Sequence, residues 1–158
     1  MAYAELHCIS NFTFLRGASR PKELVERAKA LGSAALALTD ECSLAGVVRA
    51  HAAARDTSLA LIVGSEFTLA DGLRLVCLAA SRQGYAALSR LITKGRRAAP
   101  KGCYRLERTD LADGLDGCLA LWLPGPLPRA EEAAWLRERF PGRLWLAVEL
   151  PTAGTDRE

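Results

Sequence analysis

An α/β fold, with strands and helices alternating, follows from two features of this 158-residue chain. Short apolar runs recur between segments of helical period. Several of those runs also end in a histidine or carboxylate: Glu5-Leu6-His7-Cys8-Ile9-Ser10, Ala37-Leu38-Thr39-Asp40-Glu41-Cys42 and Ile62-Val63-Gly64-Ser65-Glu66-Phe67. Parallel α/β sheets and barrels build their sites at the carboxyl ends of strands. His7, Asp40 and Glu66 are therefore expected to converge, although they lie far apart in sequence.

The elements follow in order. After the first apolar run, Ser19, Pro21 and Glu23 mark a helix start, and Leu24, Val25, Ala28 and Leu31 recur at helical spacing until Gly32. Residues 34–38 read as the second strand, 44–55 as an alanine-rich helix and 59–63 as the third strand. The Asp71-Gly72 turn signal precedes a strand at 73–79, and a helix follows at 85–93. Residues 94–102 combine positive charge with glycines and a proline, which predicts a surface loop. Arg96, Arg97 and Lys101 in it are candidate phosphate contacts; the plainer reading is a solvated loop, since no aromatic residue is interleaved. Strands at 118–123 and 144–148 flank a helix at 131–140, and Pro124-Gly125-Pro126-Leu127-Pro128 supplies the sharp connection. The last strand is expected to end at Leu150, and 151–158 has no apolar period.

Composition bounds the function. Half of the residues are hydrophobic and 25% are charged, enough for one core and unlike a disordered chain. No run reaches the length of a membrane span, and the N-terminus lacks the pattern of a signal peptide, so a cytoplasmic protein with no membrane partner is expected. Cys8, Cys42, Cys77, Cys103 and Cys118 are widely spaced and mostly inside apolar runs, as small core residues would be. Trp122, Trp135 and Trp145 lie in apolar patterns and read as core rather than base-stacking residues. His51, on the alanine-rich helix, is expected to face solvent. A net charge of +3 does not by itself assign a nucleic-acid partner.

The residues around the candidate ligands carry a resemblance. The stretch from Tyr3-Ala4-Glu5-Leu6-His7 through Asn11-Phe12-Thr13-Phe14-Leu15-Arg16-Gly17 resembles the opening of the PHP (polymerase and histidinol phosphatase) domain of bacterial C-family DNA polymerases. Leu38-Thr39-Asp40-Glu41-Cys42-Ser43-Leu44-Ala45-Gly46 is similar to the error-prone, translesion branch of that family, and the likeness continues through Gly84-Tyr85-Ala86-Ala87-Leu88 to about Arg97. The resemblance implies a distorted (β/α)7 barrel of PHP type, present only as its N-terminal part. Residues 1–158 would form one partial domain: 1–97 the well-matched part, 98–150 further strands and a helix, 151–158 a tail.

The resemblance also implies a metal centre, and this chain departs from it. Family members carry a His-x-His pair on the first strand; here His7 is followed by Ile9, which cannot ligate. The next Asp-His pair reads Asp40-Glu41, Glu66 matches a Gly-x-Glu carboxylate, and Arg74 stands where a histidine opens the next strand. The remnant set His7, Asp40, Glu41 and Glu66 is expected either to bind a single Mn or Zn ion weakly or to form a salt-bridged cluster with Arg74.

The function implied is that of the N-terminal part of an error-prone DNA polymerase, a nucleotidyltransferase acting in DNA replication and repair. The parent protein would use DNA, deoxynucleoside triphosphates and magnesium, with partners of the mutagenesis response. Its catalytic carboxylates would lie outside this chain, leaving the fragment inactive alone. The alternatives are a free-standing PHP-type phosphoesterase or 3′–5′ exonuclease, and a metal-independent interaction domain.

Overall fold

A computed structural model describes residues 3–148. The chain runs β1 (Ala4–Cys8), α1 (Pro21–Ala30), β2 (Ala35–Leu38), α2 (Val47–Ala54), β3 (Ala60–Thr68), β4 (Arg74–Ala79), α3 (Arg82–Arg97), a short 3₁₀ turn (Arg108–Leu111), β5 (Cys118–Trp122), α4 (Ala130–Arg139) and β6 (Leu144–Leu146). The strands form one curled sheet in sequence order, β1 to β6. This is the half-barrel form of the expected α/β fold.

The sheet is not uniformly parallel. β1, β2 and β3 are parallel, β4 runs antiparallel to both β3 and β5, and β5 and β6 are again parallel. The reversal comes from a hairpin, in which no helix separates β3 from β4. The turn at Leu69–Leu73 closes through Leu69 N–H to Leu73 O at 2.8 Å, and Gly72 sits at φ +90°, a conformation strained for any residue with a Cβ. Asp71-Gly72 signalled this turn, but the βαβα rhythm read from the rest of the sequence does not hold there.

Alternation along the strands sorts the core. Leu75 and Cys77 of β4, with Cys118, Ala120 and Trp122 of β5, pack outward under α3 and α4. Val76, Leu78 and Leu121 point to the opposite, concave face. Leu36 and Leu38 of β2 pack against Val25 and Ala28 of α1 and Ala50 and Ala54 of α2. By the same period, Glu66 shares the face of Ile62, opposite to core residue Phe67.

Several boundaries move. β3 runs to Thr68 instead of residue 63, because its second half gains a new neighbour in the antiparallel β4. Glu66 is therefore inside a strand. α3 extends to Arg97, so Lys94 to Arg97 are helical and not loop; an N-cap hydrogen bond from Gly84 N–H to Ser81 Oγ at 3.1 Å starts it three residues early. α2 begins at Val47, and β6 ends at Leu146. The expected strand end at Leu150 and the tail lie outside the described residues. Cys42, Cys77 and Cys118 are buried and Cys8 partly so, but Cys103 is exposed, since it follows the turn after α3. Trp122 is core and Trp135 packs partly against it, whereas Trp145, on the outermost strand, is 50% exposed. His51 faces solvent.

Candidate functional site

β1 and β3 bring His7 and Glu66 together on the concave face: His7 Nε2 lies 3.0 Å from Glu66 Oε2. An ionised carboxylate only accepts, so Nε2 is the protonated nitrogen in this contact. Glu66 is fully buried, while the His7 side chain keeps 13% exposure. Glu41 reaches the same place because residues 39–42 continue alongside β3, with Glu66 N–H donating to Thr39 O and Cys42 N–H to Glu66 O.

Two guanidinium groups fill the space between these carboxylates. Arg74 reaches Glu66 because the hairpin register pairs Thr68 with Arg74 and Glu66 with Val76, which places 66 and 74 diagonally on one face. Its Nη2 donates to Glu66 Oε1 at 3.0 Å. Arg16 donates from Nη1 to Glu41 Oε2 at 2.8 Å and to Glu66 Oε1 at 3.0 Å, and from Nη2 to Glu66 Oε2 at 3.0 Å. Each Glu66 oxygen thus has two donors. That saturates the roughly four lone-pair positions a carboxylate offers.

Electrostatics follow from the geometry. Burial alone would raise the Glu66 carboxyl, but hydrogen bonds from His7, Arg16 and Arg74 outweigh it and hold it at about 2, against an ordinary 4.5. The same bonds from Glu66 hold Arg16 still more firmly protonated. Glu41 gains a further donor, the Tyr104 hydroxyl, at 2.8 Å. Burial, together with that bond, pushes the Tyr104 phenol up, so it stays a neutral donor; its oxygen accepts from Thr68 N–H at 2.8 Å.

Asp40 is engaged through its carboxylate by the loop after β1. It is 1% exposed, and its carboxylate accepts from Ser10 N–H at 2.7 Å, Ser10 Oγ at 2.8 Å and Thr13 Oγ1 at 2.8 Å. It pins the loop that carries Arg16. Gly17 returns that loop so closely to β1 that an added Cβ would lie 1.9 Å from Ser10 O. Leu15, just before Arg16, is held at φ 66°, and Cys42, just after Glu41, at φ 44°. The left-handed backbone on both sides of the Arg16–Glu41 pair shows how firmly its two segments are fixed.

The other predicted residues divide. Ile9 is half-buried and offers no donor atom. Arg96 turns inward, donating to Cys42 O at 3.1 Å and Glu41 O at 3.2 Å and lying 5.4 Å from the Tyr104 ring centre, so it buttresses Glu41. Arg97 and Lys101 are exposed. Sequence reasoning missed Arg16, Tyr104 and the role of Asp40. A signal for Arg16 existed, an arginine before a glycine in a loop within reach of the first strand end, but nothing in the spacing says where such a loop folds.

A helix-backed, curled sheet that collects a histidine and carboxylates on its concave face defines an α/β half-barrel with a polar cluster at its centre. The chain belongs to the PHP domain family, whose model matches residues 5–139. It is 59% identical to an error-prone DNA polymerase of Dechloromonas aromatica over 99% of this chain and 16% of that protein. It is 61% identical to an error-prone DNA polymerase of Pseudomonas aeruginosa over 98% of this chain and 15% of that protein. The chain thus spans about 15% of the length of the curated relatives it matches, at their N-terminal PHP part. In fold it is similar to a protein of Bifidobacterium adolescentis assigned as a metal-dependent phosphoesterase: TM-score 0.70, 15% identity, 92% of this chain and 76% of that one. An amidohydrolase of Chromobacterium violaceum with bound sulfate and no metal matches at TM-score 0.52 and 29% identity over 61% of this chain and 34% of that one.

Proposed function

We propose that this chain is the structural N-terminal module of an error-prone DNA polymerase and that its own former hydrolase site is locked by arginine. The observation that carries the second part is the saturation of Glu66 by Arg16, Arg74 and His7. A divalent ion needs carboxylate lone pairs and carries charge of the same sign as a guanidinium, so it must displace both arginines to reach Glu66. Asp40, committed to Ser10 and Thr13, supplies no substitute ligand. The residues present therefore do not fit a cluster of metal ions. Two carboxylates face two guanidinium groups, which leaves the site near neutrality and stable without a cation.

The likeness to error-prone polymerases supports the wider reading. The parent protein would extend DNA past lesions in the cytoplasm as a nucleotidyltransferase serving replication and repair, consuming deoxynucleoside triphosphates with magnesium and working with proteins of the mutagenesis response. The alternative, a PHP-type phosphoesterase or 3′–5′ exonuclease, draws on the fold likeness alone. Activity assays separate them. The chain, given Mg, Mn or Zn, is expected to degrade neither a phosphodiester nor the 3′ end of DNA and to extend no primer. Hydrolysis that is metal-dependent and lost in His7→Ala would establish the alternative.

A further inference from the structure

Between Gly72 and Leu106 the chain has no aspartate or glutamate, although it carries 18 of them elsewhere. α3 occupies the middle of this stretch. Its inner face, Gly84, Ala87, Leu88, Leu91 and Gly95, is buried against the sheet. Helical spacing keeps Arg82, Arg90, Lys94 and Arg97 off the buried face, with Arg90 and Arg97 nearly in line along the helix, and Lys101 follows just beyond the C-terminus. All are exposed. Among the described residues, only Lys94 of these has an acidic partner, Asp110 at 2.5 Å.

The surroundings make this ridge one-sided. On one flank, Arg90 and Lys94 border a hollow with Asp110, Asp113 and Asp116. On the other, Ser89, Arg90, Thr93, Lys94, Arg97 and Ala98 line a shallow depression without a single acid. The hydroxyls there already donate along the helix, Ser89 to Tyr85 O at 2.9 Å and Thr93 to Ser89 O at 2.8 Å. The only large apolar side chain of α3 that is exposed is Tyr85, in its first turn.

We infer that the acid-free flank of α3, through Arg90 and Arg97 and with Lys101 in the segment just beyond the helix, is a docking surface for the phosphodiester backbone of nucleic acid. Arg90 and Arg97 stand about 10 Å apart along the helix, at 1.5 Å per residue. Measured along a duplex axis, where one strand presents a phosphate every roughly 3.4 Å, that corresponds to about three phosphates. A protein partner would instead call for an apolar anchor in a desolvated pocket, which this flank lacks. With no aromatic platform beside the cations, the surface reads charge and not sequence. The acidic flank repels phosphate and sets which side of the helix the strand follows. Arg96 takes no part, because its guanidinium holds backbone carbonyls. The inference goes beyond the locked-site reading and does not depend on it, since none of these residues touches Glu66 or Glu41.

The test is fluorescence anisotropy of a labelled, mixed-sequence DNA duplex titrated with the whole chain across a salt series. Three phosphate contacts predict a slope of log K on log salt of about −2.7, at roughly −0.9 per phosphate. The variant Arg90→Gln/Arg97→Gln/Lys101→Gln is expected to lose binding and slope. Lys22→Gln/Arg27→Gln/Lys29→Gln, which removes the same charge from the exposed face of α1, is expected to keep both. Equal losses in the two variants would show non-specific attraction by net charge and overturn the inference. So would a salt-independent wild-type affinity, or competition by polyglutamate as strong as that of unlabelled DNA, which would point to an acidic protein. Failure here leaves the metal and hydrolysis assays untouched, and the reverse also holds.

Discussion

Glu66 is the residue on which the site turns. It is completely buried yet ionised, because three side chains donate to it. A carboxyl held at about 2 when folded and near 4.5 when unfolded makes the unfolded state the better proton binder. Its stabilisation is therefore complete above about pH 4.5 and is lost as pH falls towards about 2. Urea titrations across that window should show stability falling by on the order of 3 kcal/mol from this group, with Glu66→Gln lacking that component. The same variant should be less stable at neutral pH by about 3 kcal/mol, since Arg16 and Arg74 lose their shared partner. His7 and Glu66 were legible in the sequence as polar residues on apolar runs, and Arg74 through the family resemblance alone. Arg16 was not, because its place depends on a loop fold set by Asp40 and Gly17, which no local period encodes.

Among the elements, the loop between β1 and α1 carries the most consequence. Asp40, a candidate ligand in the sequence, anchors this loop through Ser10 and Thr13. Asp40→Asn should destabilise the fold by about 1–3 kcal/mol, as expected for an unbalanced buried hydrogen-bond set. Hydrogen exchange should quicken first at the Ser10 and Glu41 amides, which donate to Asp40 and Thr13. Uniform acceleration over the whole chain would count against a local clamp. The helices were read from their apolar period, and most strands from their apolar runs. The hairpin between β3 and β4 was half-legible: its turn residues were plain, but the direction it imposes on β4 is a long-range result of pairing. Without that direction, Arg74 would not start β4 beside the end of β3.

For the whole molecule, the sheet order runs from β1 to β6 with no pairing between those two among the described residues. The concave side opens between them as a cleft of about 1180 Å³ lined by Leu6, His7, Ile62, Leu78, Leu121 and Leu146. Unpaired edges and apolar lining favour self-association. Light scattering of the purified chain should detect oligomers that grow with concentration; a monomer that unfolds in one sharp transition would contradict this. On the function proposed above, arginine takes the place of metal at the mouth of this half-barrel. The most direct measurement is Mn²⁺ binding followed by electron paramagnetic resonance on the unmodified chain and on Arg16→Gln/Arg74→Gln. Free Mn²⁺ is expected with the unmodified chain, and bound Mn²⁺ only when both guanidinium groups are gone. Stoichiometric binding by the unmodified chain, abolished by Glu66→Gln, would show that the arginines do not lock the site.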